Sequence, residues 1–174
     1  RTILEKKDRP AGLVLSRQNL PVWAREDIHS DTEGEKFASA EGTARGGYVM
    51  ADTEGTPDVI LIATGSEVEI ALEARHKLSE KGIAARVVSM PSREWFNEQS
   101  NEYRESVLPS SVAARVSVEA GLGMSWYDLL GSAGRAVSIE HFGASADAKT
   151  LYREFGITPE AVVTAAEESI ASVK

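Results

Sequence analysis

No cysteine occurs among the 174 residues, which removes disulfide frameworks, thiolate nucleophiles, zinc ribbons and iron–sulfur ligation together. Histidine is nearly as scarce. His29, His76 and His141 are the only three, and no two have the helical i, i+4 spacing or strand alternation that would converge on a metal. No metal site is expected. Long hydrophobic runs are missing too: Val59-Ile60-Leu61-Ile62-Ala63 is about a quarter of the roughly 20 residues a membrane-spanning helix needs. Positive charge is in deficit, with 19 Lys plus Arg against 27 Asp plus Glu, a net charge of -8. Without a basic run, neither nucleic acid nor an anionic membrane is an expected partner. The N-terminus has no apolar signal core, and Arg1 reads as mid-helix, so a piece of a longer chain is expected.

What is present suffices for a core: 42% of residues are apolar and 26% charged, and the length predicts one domain plus an appendage. Arg1 to Lys7 reads as the end of a helix, followed past Pro10 and Gly12 by a short strand, Leu13-Val14-Leu15. Val22 to Arg45 is acidic and small-residue-rich, with Ile28 and Phe37 as its bulky anchors, and reads as a surface linker.

After Gly46-Gly47 the pattern is regular. Tyr48 to Ala51 and Val59 to Ala63 are candidate strands that could pair as a hairpin, the second short and apolar enough to be buried on both faces. Ser66, with Glu69 three residues on, has capping-box spacing. A helix therefore starts there, with Val68, Ala71, Leu72 and Leu78 on one face and Gly82 as its left-handed stop. Ala85 to Met90, Ala114 to Val118 and Ala136 to Ile139 follow as strands, with a short helix at Trp126 to Leu130. Asp147 to Phe155 forms another helix, and a last one opens at Thr158-Pro159-Glu160. The βαβ succession predicts an α/β fold: a mostly parallel, five-stranded mixed sheet with helices on both faces and its first strand antiparallel.

Reactive groups are sparse. Glu119 ends an apolar strand, where α/β sheets place ligands, yet no second catalytic group accompanies it. A backbone cap or an arginine contact is the plainer expectation. Thr64-Gly65-Ser66 opens a helix after a strand, but one glycine does not make a phosphate loop, and capping explains it better. Arg17 follows the Leu13 to Leu15 strand, and its planar fork suits a phosphate or carboxylate.

Several strings in series carry a resemblance: Leu15-Ser16-Arg17-Gln18-Asn19-Leu20-Pro21, Ala44-Arg45-Gly46-Gly47-Tyr48-Val49, Ile62-Ala63-Thr64-Gly65-Ser66-Glu67-Val68, Arg86-Val87-Val88-Ser89-Met90-Pro91, Tyr103-Arg104-Glu105-Ser106-Val107-Leu108-Pro109, Val118-Glu119-Ala120-Gly121 and Phe142-Gly143-Ala144-Ser145-Ala146. Together they resemble the C-terminal third of a transketolase. The resemblance implies a parent enzyme that moves a two-carbon ketol unit between sugar phosphates in the pentose phosphate pathway. It also implies thiamine diphosphate and Mg²⁺ as cofactors, a homodimer and a cytoplasmic location.

It divides the chain into 1–24, the tail of the pyrimidine-binding domain; 25–45, a linker; and 46–174, the transketolase C-terminal domain. The family's Gly-Asp-Gly and Asn-Asn cofactor signature is absent. The fragment is therefore expected to have no catalytic, cofactor or metal residue of its own, and to be inactive with a structural, dimer-supporting role. Only Arg17 carries over as a site residue, binding substrate phosphate. The competing reading is a free-standing α/β module that holds an anionic small molecule near Gly65 and Glu119.

Overall fold

The computed structural model describes residues 2–26 and 35–173. Its elements are, in chain order, α1 (Thr2–Glu5), a 3-10 helix (Ala40–Arg45), β1 (Tyr48–Ala51), β2 (Val59–Ala63), α2 (Glu67–Glu80) and β3 (Ala85–Ser89). Then come α3 (Arg93–Asn97), α4 (Asn101–Val107), β4 (Arg115–Val118), a second 3-10 helix (Gly123–Trp126), α5 (Tyr127–Leu130), β5 (Arg135–Val137), α6 (Ala148–Glu154) and α7 (Pro159–Val173). The strands form one sheet in the order β1-β3-β2-β4-β5, antiparallel between β1 and β3 and parallel elsewhere.

β2 explains the architecture. All five of its residues are buried, and strand alternation sends Val59, Leu61 and Ala63 to one side and Ile60 and Ile62 to the other. The first set meets Val68, Ala71, Ala74 and Leu78 of α2 and Val162, Val163 and Ala166 of α7. The second meets Phe96, Val107, Trp126 and Leu130 from the short helices on the opposite face. Helices thus cover both faces. Each large aliphatic side chain so enclosed contributes about 1.5–3 kcal/mol relative to exposure.

Three local expectations are corrected. β1 pairs with β3, Tyr48 opposite Ser89, and forms no hairpin with β2. An all-apolar strand is best satisfied in the middle of a sheet, so β3 and β4 flank β2 and β1 takes an edge. The Asp52 carboxylate fastens that edge, accepting Nε and Nη2 of Arg86 at 2.8 and 2.9 Å.

Leu13-Val14-Leu15 is not a strand, and its residues are 71, 96 and 75% exposed. Among the described residues nothing lies beside it to satisfy a strand's N–H and C=O groups.

Ser66 does not cap α2: its φ of -66° and ψ of -27° are already helical, and its hydroxyl makes no capping bond. Gly65, at φ +56°, takes the turn one residue earlier, so Ser66 lacks the extended backbone from which a cap reaches back. Gly82, at φ +74°, ends the helix in the left-handed conformation as expected.

The linker's described parts are held to the sheet domain. Arg25 and Phe37 form an isolated parallel bridge, Phe37 is buried, and Trp23 packs edge-on against it at 6.3 Å. Ile28 and His29 lie outside the described residues. Arg115, at the start of β4, ties the ends of the short helices together. Its guanidinium donates to the carbonyls of Val112, Leu129, Leu108 and Pro109 at 3.0, 2.7, 3.2 and 3.0 Å, at helix and turn ends where backbone carbonyls run short of intrahelical donors.

Candidate functional site

β2 and β4 lie side by side with Ala63 opposite Val118. Beyond them the chain diverges, since β2 leads through α2 to β3 on one side and β4 leads to β5 on the other. Such a switch point leaves a crevice at the strand C-terminal ends. Here it is filled by Ser66 and Glu67 after β2, Glu119 after β4, and Tyr152 from α6.

The Tyr152 hydroxyl donates to Glu67 Oε1 at 2.6 Å and lies 2.9 Å from Ser66 Oγ, which is itself 3.3 Å from Glu67 Oε1. Glu67 is buried, so these hydroxyls supply the hydrogen bonds its carboxylate needs away from water. Burial, then the bond to Glu67, pushes the Tyr152 phenol up to about 12. Tyr152 is therefore a neutral donor. Glu119 is pushed up to about 7, first by burial and then by the neighbouring Glu67 carboxylate.

Among the described residues Glu119 makes neither the backbone cap nor the arginine contact expected of it; its charged neighbour is a second carboxylate, Glu67. The buried Glu67 carboxylate, whose charge already raises Glu119, disfavours an anionic ligand near Gly65 and Glu119. Glu67 and Tyr152 were missed in the sequence. Glu67 is one of several acids in and around α2, and nothing local links it to a tyrosine 85 residues downstream.

Arg17 takes no part in these bonds. It is exposed and makes no hydrogen bond or ion pair among the described residues. The next residue, Gln18, is half-buried, and its side-chain amide acts on the Tyr152 phenol in the direction opposite to burial.

His76 is exposed on α2, 3.5 Å from Glu80, and His141 packs edge-on against Phe155 at 4.7 Å. No three metal-ligating side chains converge among the described residues, and no described helix is long and apolar enough to cross a membrane.

The model of the transketolase-like TK C-terminal domain matches residues 46–158. The chain belongs to the transketolase family. A transketolase of Mycobacterium leprae is 53% identical over 97% of this chain and 23% of its own length. Transketolase from Leishmania mexicana superposes with a TM-score of 0.72 at 39% identity, covering 80% of this chain and 20% of that one. The Pichia stipitis transketolase solved with sedoheptulose 7-phosphate gives 0.68 at 37%, covering 77% and 19%. The chain thus spans about a quarter of the length of the curated transketolases it matches, and it corresponds to their C-terminal part.

Proposed function

We propose that this chain serves a transketolase that moves a two-carbon ketol unit between sugar phosphates of the pentose phosphate pathway. The unit leaves a ketose phosphate by cleavage of one C–C bond and joins the aldehyde carbon of an acceptor. Residues 1–24 are the tail of the pyrimidine-binding domain, 25–45 a linker, and 46–174 the C-terminal domain. Similarity over 97% of the chain to a protein of which it is 23% carries the reading. The exposed apolar residues Leu13, Val14 and Leu15 support the division, because such a run is at home as a strand in a neighbouring sheet. The Pichia stipitis complex with a sugar phosphate supports the substrate class.

Thiamine diphosphate, with Mg²⁺, supplies the carbanion chemistry in such an enzyme. Among the described residues no three ligating groups converge on a cation, and we place the residues that would hold that pair in parts of the enzyme outside this chain. What this chain brings is Arg17, whose exposed guanidinium suits the phosphate of a donor or acceptor sugar. The C-terminal domain has a structural role in a cytoplasmic homodimer. The isolated chain, given thiamine diphosphate, Mg²⁺, xylulose 5-phosphate and ribose 5-phosphate, produces no ketol transfer, while the full-length enzyme does. Turnover by the chain alone, in protein free of contaminating enzyme, overturns the assignment.

A further inference from the structure

The segment that precedes the sheet domain is attached to it at two places of different character. Downstream, the Trp23 ring packs edge-on against buried Phe37, the Phe37 N–H donates to the Ala24 carbonyl at 3.0 Å, and the Glu26 N–H donates to that of Phe37 at 2.9 Å. Upstream the attachment is polar. α1 buries none of its residues, and a cavity of about 670 Å³ lies between it and the first 3-10 helix. This end is tied through one carboxylate, Glu98, at the C-terminal end of α3. Lys6 Nζ lies 3.7 Å from Glu98 Oε2, and Arg9 Nη1 pairs with Glu98 Oε1. Lys6 also sits 4.5 Å over the Trp95 ring. Asp8 accepts Nε and Nη2 of Arg9 at 3.1 and 2.8 Å, which leaves Nη1 as the arm that reaches Glu98.

We propose that Glu98 and Trp95 form an ionic clasp for residues 2–9, closed at low salt and released at high salt, with the Trp23–Phe37 contact as the fixed point about which the freed segment swings. The inference concerns contacts inside this chain and stands whether or not residues 1–24 belong to the pyrimidine-binding domain. The side chains of Lys6, Arg9 and Glu98 are 28, 42 and 41% exposed, so ions of the solvent reach all three. Their attraction therefore weakens as added salt shortens the screening length from about 30 Å at 0.01 M to about 3 Å at 1 M. The hold of the Trp95 ring on Lys6 is electrostatic too and weakens with it. Burial of Phe37 involves no charge to screen. Two cations meet one carboxylate, so loss of Glu98 unties both. Between the attachments every residue from 10 to 22 is exposed except Gln18, which leaves little burial to hold the span in place.

The test is hydrogen exchange followed by mass spectrometry in the full-length enzyme, at about 0.01 M and about 1 M NaCl. In the parent, exchange in residues 2–9 quickens about three- to fivefold from low to high salt, the scale of an exposed ion pair. Exchange in residues 35–38, beside buried Phe37, stays constant. Glu98→Gln gives the fast rate already at low salt and loses the salt dependence. Arg9→Gln gives part of the increase, and in the Glu98→Gln background it adds nothing, because both substitutions remove the same contact. A side chain that merely filled space would show neither the salt dependence nor this coupling. Salt-independent exchange of residues 2–9 in the parent, an unaffected Glu98→Gln variant, or an Arg9→Gln effect that persists undiminished without Glu98 overturns the clasp. An equal rise at residues 35–38 overturns it as well, by showing that salt loosens the whole segment. Arg9 and Glu98 are both exposed, so neither substitution threatens folding.

Discussion

Two apolar runs in this chain meet opposite fates. Val59-Ile60-Leu61-Ile62-Ala63 is enclosed completely, whereas Leu13-Val14-Leu15 is exposed, Val14 at 96%. Their chemistry is nearly the same and each suits a strand. The difference lies in what surrounds them: the first has strands on both sides and helices over both faces, and the second has neither among the described residues. Hydrophobicity sets a demand for burial, and neighbours decide whether it is met. The sheet domain satisfies its own demands, while the segment before it leaves them unmet among the described residues.

Gly46 offers the strongest way to break the sheet domain while sparing the leading segment. It has φ +84°, and a Cβ there would lie 2.3 Å from Phe96 N and Ser92 O, backbone atoms that cannot move aside cheaply. Gly46→Ala is expected to lower stability by about 3 kcal/mol or more, combining left-handed strain with overpacking. Urea denaturation followed by tryptophan fluorescence measures it, and hydrogen exchange in residues 10–22 is expected to be fast before and after. A variant as stable as the parent would mean that the close packing of Gly46 on α3 is not what holds the domain together.

Two arginines sharpen the contrast. Arg115 gives its hydrogen bonds to four carbonyls at helix and turn ends, while exposed Arg17 gives none among the described residues. Arg115→Met leaves those carbonyls short of donors and is expected to cost about 2–3 kcal/mol. Arg17→Met is expected to change stability by less than about 0.5 kcal/mol. Similar losses in the two variants would erase the distinction.

The smallest effect concerns Glu119. Its carboxyl is pushed up from 4.5 to about 7, so the native state holds a proton that the unfolded chain has released. The stability this contributes is full below the unfolded value of 4.5 and is lost as pH rises through about 7. Glu119→Gln should flatten that decline, gaining up to about 1 kcal/mol at pH 8 once solvent screening of this partly exposed group is allowed for. At pH 4 it should gain nothing. A gain that is the same at both pH values would show that neither burial nor the Glu67 charge raises the Glu119 carboxyl in the native state.

The strands were legible wherever their own residues carried the signal: β2 in its short apolar run, the stop of α2 in Gly82, the start of α7 in Thr158-Pro159. The partner of β1 was not, because pairing depends on which strand claims the middle of the sheet. Ser66 shows a sound local rule defeated by its neighbour, since the positive φ of Gly65 had already made the turn. At the crevice, Glu119 was visible from its position at a strand end. Its opposing carboxylate and the Tyr152 hydroxyl were not, because folding brings them together from distant parts of the chain. Arg17 was singled out by its place after a presumed strand and by family resemblance; the strand is absent, and the resemblance alone now supports its role.

The outermost members of the sheet are β1, four residues long and irregular between Val49 and Ala51, and β5, only three residues long. Open borders of that size give a stray polypeptide too few ladder positions to latch onto. Growth of the sheet from one molecule into the next is thereby discouraged, and any association of copies must be built from side-chain contacts.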